Sequence, residues 1–178
     1  ASLRSSIVSH AKTLGYVPSS ARAAKATVDV TLNTTDSTAT MPAGTVFNTT
    51  VDDTTFQFST IESFTKSNTG NSIPFVGVDI YEGTFITTRY TVDSSDIDQR
   101  FLLTDNRADT STLIVKVQTS STDSTSTTFT EATDITQVTS GSNVFFLQEV
   151  EAGLFEVYFG DGVIGTALSD DNIVILTY

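Results

Sequence analysis

Phe155-Glu-Val-Tyr-Phe-Gly-Asp-Gly-Val-Ile-Gly165 reads as a strand that runs into a turn bounded by glycines. Gly160 and Gly162 flank Asp161, and glycine at such positions supplies backbone with positive φ at no steric cost. The spacing invites comparison with a phosphate-binding loop. That loop needs a Lys-Ser/Thr pair and a following helix. Here Thr166-Ala-Leu-Ser-Asp-Asp-Asn172 leads into a further strand instead. The expectation is a structural turn built on Gly160, Asp161, Gly162 and Gly165. Upstream, Val144–Val150 and Leu154–Phe159 flank Glu151-Ala-Gly153, the pattern of a hairpin. Downstream, Ile173-Val-Ile-Leu-Thr-Tyr178 is apolar on both faces, which predicts a central strand.

A period of two recurs through most of the chain. Val28, Val30 and Leu32 alternate with Thr27, Asp29 and Thr31, a strand with one wet face. Met41-Pro-Ala-Gly-Thr-Val-Phe47 re-enters extended structure, Phe56 and Phe58 form a short run, and Val76, Val78 and Ile80 alternate until Glu82-Gly83. Ile86, Tyr90 and Val92 share one side of the next run. Phe101-Leu-Leu103 and Thr112–Val117 follow. Residues 33–40, 65–72 and 120–128 read as polar loops.

The start differs. With Ser2 as N-cap, Leu3, Ile7, Ala11 and Leu14 recur at helical spacing, and Gly15 and Pro18 stop the pattern. This predicts one short amphipathic helix over 2–14, which needs a surface to dock on. The acidic stretch Asp93-Ser-Ser-Asp-Ile-Asp98 is the natural boundary between two lobes. The expected fold is mainly β: an N-terminal helix and its exit over 1–25, then two small antiparallel, sandwich-like lobes over 26–93 and 94–178.

Composition supports this and excludes several classes. Among 178 residues Thr occurs 33 times and Ser 21 times, and Thr suits half-buried pleated surfaces. A domain of this length buries roughly 70% of its unfolded surface, so a core forms without staples. Cysteine is absent, which removes disulfides, thiolate metal sites and Cys nucleophiles. The net charge is −12, yet Arg4, Lys12, Arg22 and Lys25 all precede the first acid, Asp29. An acidic surface opposes nucleic-acid binding, which needs cations against phosphates. No apolar run reaches the length of a membrane helix, and the first residues lack the apolar core of a signal peptide. Leu3, Arg4, Ile7, Lys12, Leu14, Arg22 and Lys25 together form a candidate interface, apolar and basic, on an otherwise negative chain.

Residues for catalysis are sparse. His10 is the single histidine, and a lone His without Cys cannot build a zinc site. Carboxylates cluster at Asp52-Asp53, at Asp93, Asp96 and Asp98, and at Asp170-Asp171, all in polar loops. Glycosidase chemistry needs two carboxyls across a cleft with one of them buried. Residues 93–98 are the most ion-like stretch, but no segment has EF-hand spacing. Asn33-Thr-Thr35 and Asn48-Thr-Thr50 match glycosylation acceptors, a match that a Thr-rich chain produces by chance. No catalytic, cofactor or metal residue is expected.

Five segments, in order, resemble the baseplate wedge proteins of contractile-tailed phages: Ala11–Ala23, Met41–Phe47, Val78–Gly83, Ala108–Val115 and Phe155–Gly165. The likeness is to the large wedge subunit of myoviruses, related to the baseplate J-like family. The resemblance implies a structural role in the virion, without cofactor or catalysis. It implies partners among other wedge subunits and copies of the same chain, and transmission of the sheath-contraction signal. Against that family, the chain is expected to be a piece that lacks the C-terminal ring-forming part and some of the N-terminal helical region. A carbohydrate-binding or adhesin-type β-sandwich is the alternative, although Trp is absent and Tyr16, Tyr81, Tyr90, Tyr158 and Tyr178 would have to serve. A glycoside hydrolase fragment is a third reading, which lacks a cleft signature.

Overall fold

The structure, a computed structural model, describes Ser6, Ile7, Ser9, His10 and residues 19–178. It is mainly β. The chain divides into two compact units, one of Ala23–Ile86 and one of Thr87–Tyr178 with the described part of Ala1–Arg22.

The first unit holds β1 (Lys25–Asn33), β2 (Thr38–Met41), β3 (Val46–Val51), β4 (Thr54–Ser59), β5 (Phe64–Ser67) and β6 (Ser72–Glu82). Four of them form a sheet in the order β1-β6-β4-β3, and β2 and β5 form a two-stranded ribbon. Its core is Met41, Ile73, Phe75, Val78 and Ile80, flanked by Val28, Val30, Phe47, Phe58 and Phe64. The alternation expected for Val28 and Val30 holds, but Leu32 is 45% exposed. In β6 the alternation breaks. Val28 pairs with Val78 and Val30 with Phe75, so Val76 and Gly77 together oppose Asp29. That is a β-bulge. Gly77 takes φ +69, and its N–H donates to Asp29 Oδ1 at 2.7 Å. The extra residue shifts the phase, so Ile73 and Phe75 face the core before the bulge and Val78 and Ile80 after it. Val76, read with Val78 and Ile80, is instead 69% exposed.

Two expected loops in this unit contain strand. β2 overlaps the polar stretch 33–40 and β5 overlaps 65–72, paired from Thr38↔Ser67 to Met41↔Phe64. Thr40 and Thr65 bring their hydroxyls to 2.8 Å across the ribbon. Polar, β-branched residues suit an exposed ribbon, which has few apolar positions for a pattern to reveal.

The second unit holds β7 (Thr87–Thr91), β8 (Phe101–Leu103), β9 (Ile114–Gln118), β10 (Ser126–Glu131), β11 (Val144–Glu149), β12 (Phe155–Phe159) and β13 (Ile173–Thr177). Its sheet runs β7-β13-β9-β10-β11-β12-β8, and β13 is flanked on both sides, as its apolar character predicts. β7 pairs with β13 from Thr87↔Thr177 to Thr91↔Ile173. The division between units therefore falls at 86/87 and not at 93/94. The acidic turn, read as the boundary, lies inside the second unit because a strand ladder outweighs turn composition.

The sheet is not a flat sandwich layer. β10 pairs with β9 over Ser126–Phe129 and then, in parallel, with β11 over Thr130–Glu131. It turns a corner between two halves of the sheet, and the unit is not wholly antiparallel. The two edge strands also meet. Laid flat, seven strands would set β7 and β8 about 29 Å apart. Instead Tyr90 of β7 packs edge-on against Phe101 of β8, with ring centroids 5.7 Å apart, and Tyr90 Oη donates to Leu102 C=O at 2.7 Å. Tyr178 Oη accepts from Thr104 N–H at 3.0 Å. The sheet curls until its edges touch through side chains, around Leu103, Val115, Phe155, Val157, Val174 and Leu176, all buried.

Among the described residues the only helices with defined ends are short 3₁₀ turns, at Thr110–Thr112, Ile135–Gln137 and Glu151–Gly153. Ser6, Ile7, Ser9 and His10 have helical backbone, and the rest of the expected helix over 2–14 lies outside the described residues.

Candidate functional site

The Phe159–Gly165 turn is held from within. Asp161 Oδ1 accepts from Val163 N–H and Ile164 N–H, each at 2.9 Å, an Asx-type cap that a short carboxylate is able to form. These bonds, to Ile164 first and Val163 next, hold the Asp161 carboxyl below its ordinary range. Gly162 N–H donates to Gly165 C=O at 3.0 Å, and Gly165 N–H donates to Thr139 C=O at 3.0 Å. Gly162 and Gly165 have φ +86 and +83. Gly160 serves a different need: a Cβ there would lie 2.4 Å from the carbonyl of Gly165. The turn presents no set of free N–H groups to an anion.

An open cleft of about 580 Å³ adjoins this turn, lined by Val92, the 96–101 segment, residues 156–160 and Leu168. Its polar centre is one network. Arg100 donates to Glu156 Oε2 from Nε at 2.9 Å and from Nη2 at 2.6 Å, and Tyr158 Oη donates to the same oxygen at 3.0 Å. The Glu156 side chain is 6% exposed and that of Arg100 is 47% exposed. Glu156 alternates with the core residues Phe155 and Val157, so it is on the other face of β12, where Arg100 covers it. The bond to Glu156 raises the Arg100 pKa. Burial, followed by Glu156, raises that of Tyr158. Three donors thus converge on one oxygen of this carboxylate. At the rim Ile97 is 96% exposed, and Tyr158 shows 39% of its surface. The cleft offers a guanidinium edge, a phenol ring and apolar side chains: a surface for binding polar, hydroxylated or mixed groups.

The sequence placed the Asp clusters in loops, and Asp52-Asp53, Asp93, Asp96, Asp98 and Asp170-Asp171 are there. Asp93 Oδ1 caps Ser95 through both its N–H at 2.9 Å and its hydroxyl at 2.6 Å. Asp96 caps Asp98 N–H at 3.1 Å, and Asp170 accepts from Ser94 N–H at 2.8 Å. Asp52 and Asp53 form the β3–β4 turn at φ 49 and 62. These clusters build turns. Among the described residues no group of three or more His, Asp or Glu side chains is placed to hold a metal ion. The reading missed two buried acids in strands, Glu149 and Glu156. Arg100, placed shortly before Phe101-Leu-Leu103, carried no local signal of a partner 56 residues away.

The candidate N-terminal interface is only partly described. Leu3, Arg4, Lys12 and Leu14 lie outside the described residues. Ile7 is 58% exposed, and Arg22 is exposed. Lys25 is not a free docking charge: it begins β1, reaches Asp79 at 2.8 Å and sits 5.6 Å from the Tyr81 ring centre. Of the tyrosines weighed for sugar stacking, Tyr90 and Tyr178 are used within the sheet, Tyr81 carries Lys25, and Tyr16 lies outside the described residues. Tyr158 lines the cleft.

No protein-family model matches this chain, and no curated protein matches it.

Proposed function

We propose that the chain is a non-catalytic, structural component of a phage tail baseplate wedge. In this reading it works in the virion, binds other wedge subunits and copies of itself, and helps to pass on the sheath-contraction signal. The observation that carries the reading is the ordered set of five wedge-like segments, together with the use the fold makes of them. Met41–Phe47 is the joint between β2 and β3, where Gly44 N–H and Thr60 C=O bond at 2.8 Å. Val78–Gly83 ends β6, Ala108–Val115 leads through a 3₁₀ turn into β9, and Phe155–Gly165 is β12 with its turn. Asp93, Asp96 and Asp161 cap turns, and Arg100 and Tyr158 both bond Glu156, which suits a part that holds surfaces in place. The basic N-terminal segment is a docking element in this reading. Immunogold labelling of contractile-tailed particles from the source, with antibody to this chain, tests it. Label at the baseplate is expected, and label absent from the particles or confined to the cell surface rejects the reading.

The cleft favours a second reading, a carbohydrate-binding module, because Tyr158, Arg100 and the nearby carboxylates offer a ring face and hydrogen-bonding groups together. Glycan-array binding that Tyr158→Ala abolishes would favour this reading over the first. A blank array removes it.

A further inference from the structure

β3 is the outer strand of its sheet and pairs only with β4 among the described residues. The direction of its backbone groups follows from its neighbours. Thr60 N–H donates to Thr45 C=O, so Thr45 faces β4. Gly83 N–H donates to Gln57 C=O from the far side of β4, so Gln57, opposite Asn48, faces away from β3. Antiparallel pairs alternate between those that exchange hydrogen bonds and those that do not. Val46, Asn48 and Thr50 therefore point their N–H and C=O groups outward. All three residues are exposed.

An open edge invites pairing with another chain, and proteins blunt it with lysine, proline, a bulge or a cover. Val46-Phe-Asn-Thr-Thr-Val51 has no charge and no proline, in a chain of net charge −12. Its register with β4 is unbroken. We propose that β3 pairs antiparallel with β3 of a second copy of this chain across a twofold axis, joining two four-stranded sheets into one. With the axis at Asn48, Val46 of each copy faces Thr50 of the other and Asn48 faces Asn48, so every outward group of these residues is bonded. Phe47 faces Thr49, an aromatic and β-branched pair of the kind that stabilises sheets.

Charge selects the direction. Asp52 and Asp53 sit at the tip of the hairpin. In the antiparallel arrangement the tip of one copy lies level with Gly44 of the other. At about 3.4 Å per residue the two acidic tips are then roughly 27 Å apart, beyond the screening length of about 8 Å at physiological salt. A parallel arrangement would bring the tips together. The proposal rests on the strand edge and not on the wedge reading, so each is able to fail alone.

The chain has no native cysteine, which allows a direct test. Asn48→Cys sets two thiols across the axis with Cα atoms about 5.5 Å apart, within disulfide reach. On mild oxidation it is expected to form a covalent dimer about tenfold faster or more than Ser124→Cys, an exposed loop control, because pairing raises the effective thiol concentration. Asn48→Pro removes an outward N–H at an edge position where proline is tolerated. Sedimentation velocity of the full chain should show its dimer about tenfold weaker, the effect of losing symmetric hydrogen bonds, with the melting temperature of the dilute protein unchanged. Crosslinking no faster than the control, or a wild-type chain that stays monomeric at every concentration tested, overturns the proposal. So does a folded Asn48→Pro chain that dimerises as tightly as wild type.

Discussion

Gly160, Gly162 and Gly141 differ in why they are glycine, and alanine at each should tell them apart. At Gly160 the new Cβ meets backbone of Gly165 and Ile164 at 2.4 Å, and backbone cannot swing aside as a side chain can. Gly160→Ala should cost about 1–3 kcal/mol, the usual penalty for overpacking. Gly162→Ala meets only Ala167 Cβ at 3.7 Å but must hold φ +86, which costs about 1 kcal/mol. Gly141 has neither constraint, and alanine there should be neutral or stabilising by up to about 1 kcal/mol. Urea denaturation of the three variants gives the ranking, and equal midpoints would contradict it. The turn itself was legible in the sequence, since glycines around an Asp announce one. The separate role of Gly160 was not, because it depends on how closely two backbone segments approach.

At the scale of the element, the β6 bulge decides which valine is core. Val78 is 1% exposed and Val76 is 69% exposed, although a strict period of two puts both on one face. Val78→Ala should cost about 2 kcal/mol, by lost burial and the cavity left behind. Val76→Ala should stay within about 0.5 kcal/mol. Similar losses for both would place the bulge elsewhere. One inserted residue inverts the facing of everything beyond it, and the alternation gave no sign of it beyond Gly77. The β2–β5 ribbon and the first residues of β10 were hidden for another reason. Most of their residues are exposed Thr, Ser or Lys, so the few apolar ones set no phase that distinguishes strand from loop.

Two further outcomes belong to the whole molecule. Tyr90→Phe keeps the ring contact with Phe101 and removes the hydroxyl that reaches Leu102, so it should cost about 1 kcal/mol, the net worth of one hydrogen bond. Thermal unfolding checks it, and an unchanged midpoint would mean that the sheet edges meet by packing alone. Acid should destabilise the protein. Asp79, Asp93, Asp105, Asp123, Asp134 and Asp161 are all held below the ordinary carboxyl range. The leading causes are, in turn, hydrogen bonds from Lys25, the Ser95 hydroxyl, Arg107, Thr125 N–H, the Thr136 hydroxyl and Ile164 N–H. A depressed folded pKa means that the unfolded chain takes up protons first. This stabilisation is complete above the unfolded Asp value of about 3.9 and is lost as pH falls through the lower folded values. Melting temperatures measured from pH 7 to pH 2 should therefore fall below about pH 4. A midpoint that rises steadily to pH 2 would show that relief of the −12 net charge outweighs the loss of the Asp caps.

The sequence by itself determined the mainly β character, the hairpin around Glu151–Gly153, the central place of Ile173–Tyr178 and the glycine turn after Phe159. Each is local: a run of apolar or β-branched residues, or a glycine whose missing side chain lets the backbone turn. The tertiary structure alone decided that β7 joins the second unit, that β10 turns a corner, that Tyr90 brings the two sheet edges together and that Arg100 meets Glu156 beside an open cleft. Those partners are distant in the chain. Their meeting depends on strand order, curl and bulge phase, none of which a window of neighbouring residues contains.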